Sequence, residues 1–125
     1  IRSPLAMGLL GGKYDSQSTF GEDDVRKLGD AGNLYFKDGK ITDQALVQLD
    51  AVREILRSDG RTLAQGALAW LWARSPNALP IPGFRTPDQV IDLCGALDFG
   101  PLRPDQMEEI ERVLARPEEG PPQPR

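Results

Sequence analysis

The stretch LPIPGFRTPDQV, residues 79–90, carries the residues best suited to hold a ligand. An apolar run breaks at Gly83, a basic residue follows at Arg85, and Thr86-Pro87 opens a helix. A helix that starts there points free backbone N–H groups and its positive dipole end at the preceding loop. Such a start is a site for an anion, and a phosphate is the usual guest. Gly83 lets a ligand approach the backbone closely, and Arg85 can pair bidentately with phosphate. Gln89 lies one turn into the helix and can reach the same ligand. The same residues also read as plain structure: a glycine that ends a strand, a solvated charge, and the second half of a capping box. Spacing alone leaves both readings open.

The segment SPLAMGLLGGKY, residues 3–14, poses a similar choice. Ser3, Leu5 and Gly8 can offer a hydroxyl and backbone amides to a second phosphate group. The segment is not a Walker loop, because Gly12-Lys13 is followed by Tyr14 and the glycine spacing differs. It is not the dinucleotide fingerprint of the doubly wound fold, since no strand–GxGxxG–helix unit is present.

Other chemistry finds little support. The 125 residues include no histidine, which removes the commonest general acid/base and the commonest metal ligand. No cysteine–histidine spacing points to a metal, so the expectation is no metal site. Asp23, Asp24, Glu108, Glu109 and Glu111 form short acidic runs that read as solvated helix ends and faces. Trp70 and Trp72 are two residues apart on a predicted helix, so their rings point to different sides and pack core or interface. Tyr14 and Tyr35 are loop tyrosines with no activating residue fixed beside them. A net charge of −4 lacks the basic face that nucleic acid needs. The single cysteine, Cys94, forms no internal disulfide and fits a reducing, cytoplasmic compartment. The sequence has no apolar run long enough to span a bilayer.

These residues must be positioned by a mainly helical framework of about four helices and one short strand. Residues 15–40 are polar and glycine-rich without a clear period, and read as a long loop. Thr42 caps an amphipathic helix whose inner stripe is Ala45, Leu49, Val52 and Leu56, ended by Asp59-Gly60. Thr62 with Gln65 is a capping box that opens a second helix, with the body ALAWLWA apolar on nearly every side. NALPIPG is the short strand. Thr86, Pro87 and Gln89 repeat the cap, and Val90, Cys94 and Leu97 line one face of the helix that follows. A last helix begins near Pro104 and uses Met107, Ile110, Val113 and Leu114. The tail RPEEGPPQPR, residues 116–125, has nothing apolar to bury and is expected to be disordered.

Taken together, residues 3–114 resemble the C-terminal part of an aldo-keto reductase. SPLAMGLLGGKY is similar to the family's stretch after its seventh barrel strand, close to SPLxxGLLTGKY. AVREIL with RTLAQGALAWLWARSPNALPIPGFRTPDQV is similar to the seventh helix, eighth strand and eighth helix. GALDFGPLRPDQMEEIERVL resembles the run into the closing helix.

The resemblance implies a C-terminal fragment of a (β/α)8 TIM barrel over residues 1–115, and NADPH as cofactor. It implies Ser3 and Leu5 at the pyrophosphate, Gly83, Phe84 and Arg85 at the adenosine 2′-phosphate, and Gln89 beside it. Leu93 departs from the family, which often has Asn there against adenine. A complete barrel takes about 250 residues, and the family's catalytic Asp, Tyr, Lys and His come from strands in its first half. No motif carrying them is found here, so no catalytic residue is assigned. The expectation is an NADPH-binding part of a carbonyl oxidoreductase that is inactive alone, with weak or absent cofactor binding. Two alternatives stand beside it: a helical self-associating protein derived from that family, or part of a reductase whose upstream half is not given. Homodimerisation is expected through the ALAWLWA helix, where Leu68, Trp70, Leu71 and Trp72 lack the strands that would cover them.

Overall fold

The computed structural model describes residues 1, 4–6, 8–12, 17–20 and 35–114. Its elements, in chain order, are the hairpin strands β1 (Phe36–Lys37) and β2 (Lys40–Ile41), then four helices. These are α1 (Asp43–Leu56), α2 (Leu63–Arg74), α3 (Pro87–Phe99) and α4 (Pro104–Leu114). The fold is mainly helical, as expected, and no closed barrel is formed among the described residues. The proposed tail, residues 116–125, and most of the expected loop of residues 15–40 lie outside them.

The end of that expected loop is instead a β-hairpin. Asp38 and Gly39 both take positive φ, 52° and 75°, which is the geometry of the tight turns that match strand twist. Phe36 pairs with Ile41 and Lys37 with Lys40. The alternation buries Phe36 and Ile41 and leaves both lysines in solvent. Phe20 meets Phe36 edge-to-face with ring centroids 5.2 Å apart, and its amide donates to the Gly39 carbonyl at 2.8 Å. The hairpin thus seals one end of the core.

Thr42 then caps α1 through the Ala45 amide. The predicted stripe of Ala45, Leu49, Val52 and Leu56 is buried, while Val47 on the far side is 69% exposed. A short 3-10 turn, Ser58–Gly60, leads to α2, which carries the predicted Thr62–Gln65 capping box. Residues Leu63 to Ala69 are all buried, because α2 packs between α1, α3, α4 and the Leu9–Gly11 turn. The chain itself therefore covers much of the helix expected to need a partner. Leu68 is buried, and Trp70, Leu71 and Trp72 are half-buried. The α1–α2 crossing is close: a Cβ on Gly66 would lie 2.0 Å from the Leu56 carbonyl oxygen.

One expectation about the second half changes. NALPIPG forms no strand in the two-stranded sheet, but it does pair. Ile81 donates its amide to the Ile1 carbonyl at 2.9 Å, and the Ile1 amino group donates to the Leu79 carbonyl at 2.6 Å. One residue bonded to two positions two apart is the parallel ladder pattern. On α3, the stripe Val90, Cys94 and Leu97 does not face the core. The buried residue is Ala96, Cys94 is exposed, and Leu97 is 71% exposed. Polar ties from α2 decide this orientation. Thr62 donates to the Asp92 carboxylate at 2.9 Å, and Gln65 Nε2 donates to the Asp92 carbonyl at 2.8 Å. Both pull the Asp92–Ala96 side inward.

Candidate functional site

The turn at Gly83 is built by its two flanks. The parallel ladder at Ile1 ties residues 79–81, just before Gly83, to the start of the chain's described residues. The helix start itself is fixed by local chemistry. Thr86 Oγ1 accepts from the Gln89 amide at 3.2 Å, Gln89 Oε1 accepts from the Thr86 amide at 3.2 Å, and Pro87 occupies the first helical position. The pre-set φ of proline and the missing N–H both suit that place.

Each residue predicted from sequence can now be located. Ser3 lies outside the described residues. Leu5 sits in a turn and its carbonyl accepts from the Gly8 and Leu10 amides at 3.1 and 3.0 Å. Ala6 and Gly8 take φ of 51° and 94° in that turn. Gly83 faces open space where a Cβ would stand, as the close approach of a ligand requires. Phe84 is 63% exposed and Arg85 is exposed, so both are available to a ligand. Arg85 makes no ion pair among the described residues.

Gln89 is engaged within the turn itself. Its Oε1 accepts from Arg85 N at 2.6 Å as well as from Thr86 N. The Arg85 and Thr86 amides are therefore both engaged by the protein's own side chain. The capping reading of Thr86 and Gln89 is met. The turn offers an exposed guanidinium, an open glycine and the positive helix end. These are groups that could hold an anion. Leu93 is half-buried and adds no polar group on the adenine side.

A second feature is a cavity of about 290 Å³ beneath the N-terminal turn, lined among others by Pro4, Tyr35, Trp70, Leu71, Ile110 and Leu114. Its walls are apolar, and no residue of the Gly83–Gln89 turn contributes to it. It is a gap in the packing between α2, α4 and the N-terminal segment rather than part of the phosphate turn. No group of three or more His, Cys, Asp or Glu suited to a metal occurs among the described residues. None of their helices is long and apolar enough to cross a membrane.

Sequence reasoning missed the clasp that orients α4. Asp59, at φ 61°, accepts from Arg103 Nη1 at 2.6 Å, from Gln106 Nε2 at 3.2 Å and from Arg61 Nη1 at 3.2 Å. Burial pushes the Asp59 carboxyl up, but the hydrogen bonds from Arg103, Gln106 and Arg61 and the Arg103 charge outweigh it. They hold it below its ordinary 3.8. The Arg61 guanidinium is buried and lies 5.3 Å from the Phe99 ring, which anchors the end of α3. The signal was Asp59-Gly60, which reads as a helix stop but also holds the carboxylate in place.

The sequence model of the Aldo/keto reductase family matches residues 1–115. A probable voltage-gated potassium channel subunit beta from Oryza sativa subsp. japonica is 33% identical over 114 residues, covering 90% of this chain and 34% of that protein. Versiconal hemiacetal acetate reductase from Aspergillus parasiticus is 28% identical over 109 residues, covering 87% and 30%. An NADP(+) aldo-keto reductase, yakc, from Schizosaccharomyces pombe is 33% identical over 95 residues, covering 76% and 26%. The chain thus spans about a third of the length of the curated relatives it matches.

Proposed function

The chain belongs to the aldo/keto reductase family, and from that premise we propose that it is the phosphate-reading part of an NADPH site, without carbonyl reductase activity of its own. The observation that carries the reading is the Gly83–Gln89 turn. There an open glycine, an exposed Arg85 and a capped helix start converge. Arg85 is the residue that would distinguish a 2′-phosphate from a 2′-hydroxyl, because a guanidinium gains a charge-assisted pair only with the former. Phe84 offers an exposed apolar face beside it. When bound, NADPH supplies a hydride; the residues of this chain hold its phosphate end.

Reduction of a carbonyl also needs a positioned proton donor within hydrogen-bond reach of the substrate oxygen. The family's catalytic motifs lie in a part of the barrel to which this chain has no matching segment. The NADP(+) label of the Schizosaccharomyces pombe relative supports the choice of cofactor.

Calorimetric titration tests the binding half. NADPH is expected to bind weakly and NADH more weakly still, with Arg85→Ala erasing the difference. Equal affinity of the unsubstituted chain for the two would refute the role of Arg85. Steady-state assays with NADPH and a panel of aldehydes test the other half. Oxidation of NADPH above a blank, abolished by Arg85→Ala, would show that the chain catalyses alone.

A further inference from the structure

Two Asp-Gly pairs occur in the chain, Asp38-Gly39 and Asp59-Gly60. Their backbones are nearly alike: φ is 52° and 75° in the first pair, 61° and 85° in the second. Asp-Gly is the dipeptide in which aspartate isomerises most readily, because glycine leaves its own nitrogen unshielded by a side chain. The two carboxyls, however, sit in different surroundings. Asp59 accepts hydrogen bonds from Arg103, Gln106 and Arg61. Asp38 is exposed, and its carboxyl makes no hydrogen bond or ion pair among the described residues. We propose that Asp38-Gly39 is a site of spontaneous isoaspartate formation, and that the clasp on Asp59 protects the second pair from the same reaction.

The reaction is a ring closure, a loss of water and a reopening. The Gly39 amide nitrogen attacks Asp38 Cγ and gives up its proton. The carboxyl hydroxyl leaves with a proton as water, and a five-membered succinimide remains. Water then adds to either ring carbonyl. Cleavage of the bond from nitrogen to Cγ restores aspartate, and cleavage of the bond from nitrogen to the main-chain carbonyl carbon gives isoaspartate. The product has the mass of the parent, but its backbone runs through Cβ and Cγ and is one carbon longer. Nothing is oxidised or reduced, and water is the only co-reactant.

Closure needs the glycine nitrogen on the side of Cβ, and at the left-handed ψ of 24° taken by Asp59 it lies nearly opposite. Asp38 shares the left-handed φ. Each pair must therefore turn over locally before it reacts, and the cost of that opening sets the rate. At Asp59 the turnover pulls the carboxylate from two guanidiniums and from the buried Gln106. Its carboxyl also lies below the ordinary 3.8, so the neutral acid that loses water is scarcer. At Asp38 the obstacles are the Lys37–Lys40 pair and the Phe20 amide on the Gly39 carbonyl, and nothing holds the carboxyl. A two-residue turn has no slack for an extra carbon. The isomer must therefore disturb the paired Phe36 and Ile41, both of which are buried.

The test uses the full 125-residue chain, incubated folded at neutral pH for several weeks. It is then unfolded and digested with an endoproteinase that cleaves before aspartate but not before isoaspartate. Cleavage at Asp38 is expected to be lost roughly tenfold faster than at Asp59, or more, the factor that one charge-assisted hydrogen bond supplies. Incubated in urea, where the fold is gone, the two sites should be lost at similar rates. Arg103→Ala should speed the loss at Asp59 and leave Asp38 unchanged, with circular dichroism showing that the helices persist. The aged chain should keep its mass and unfold at a lower temperature. Asp38→Glu, whose ring closure is far slower, should age without that drop. Retention of cleavage at Asp38, equal loss at both sites in the folded chain, or faster loss at Asp59 would each overturn the proposal. So would a difference between the sites that persists in urea, or an Asp59 that stays inert when Arg103 is replaced.

Discussion

Replacement of Gly66 by alanine should be among the most damaging single-methyl changes in the chain. An ideal Cβ there would stand 2.0 Å from the Leu56 carbonyl oxygen, 2.6 Å from its carbon and 2.8 Å from its Cα. All three are backbone atoms at the end of α1, so no side chain can rotate away, and the two helices must separate by more than 1 Å on the scale of ordinary non-bonded contacts. Overpacking of this kind costs about 1–3 kcal/mol, and a rigid backbone neighbour puts it at the upper end. Alanine recovers about 1 kcal/mol of helix propensity relative to glycine. The net loss is about 2 kcal/mol. For a domain of this size that lowers Tm by roughly 6–10 °C. Thermal unfolding followed by circular dichroism at 222 nm would measure it, with the m-value in urea as a check that the unfolded state is unchanged. An unchanged or raised Tm, as propensity alone would give, would refute the close crossing of α1 and α2.

Three further outcomes are expected. Arg103→Ala should lower Tm at neutral pH, and the difference from the unsubstituted chain should vanish in acid. The folded Asp59 carboxyl lies below its ordinary 3.8, so the stabilisation is present above that value and is lost as pH falls through the lower folded one; a gap that persists unchanged in strong acid would count against the clasp. Phe36→Ala removes a side chain that is 1% exposed and its edge-to-face contact with Phe20, and should cost about 3–5 kcal/mol. A shift of the urea midpoint worth less than 1 kcal/mol would mean that the hairpin is not packed on the core. Gly83→Ala should leave Tm unchanged, because its Cβ meets nothing, while weakening NADPH in titration; equal binding would show that no ligand approaches the turn there.

What the sequence disclosed was local. Thr42, Thr62 and Thr86 each announce a helix start through a hydroxyl and the amide three residues on, and all three caps are present. The α1 stripe follows from period alone. The hairpin is hard to read although Asp38-Gly39 is a strong turn signal, because its strands have only two residues each and follow a glycine-rich run. The orientation of α3 was not legible. Its apolar period marks the outward side, and the inward side is chosen by hydrogen bonds from Thr62 and Gln65, 30 and 27 residues from Asp92. The Asp59–Arg103 bond spans 44 residues and has no periodic trace. At the candidate site, residue types were legible from spacing, but the engagement of Gln89 with Arg85 N was not.

That engagement makes Gln89 an intramolecular competitor. Its amide oxygen occupies the Arg85 and Thr86 amides, so under the proposed function an anion that used those donors would first have to displace it. Observed affinity is then the intrinsic affinity multiplied by the fraction of molecules with the oxygen already withdrawn. The turn is a latch that a neutral oxygen holds shut and that a charged oxygen, which forms the stronger bond to an N–H, displaces. Selectivity follows without any change in shape. Under the proposed function, ligands carrying full negative charge would open the site, whereas neutral hydroxyl-bearing ones would compete with the glutamine on equal terms and gain little.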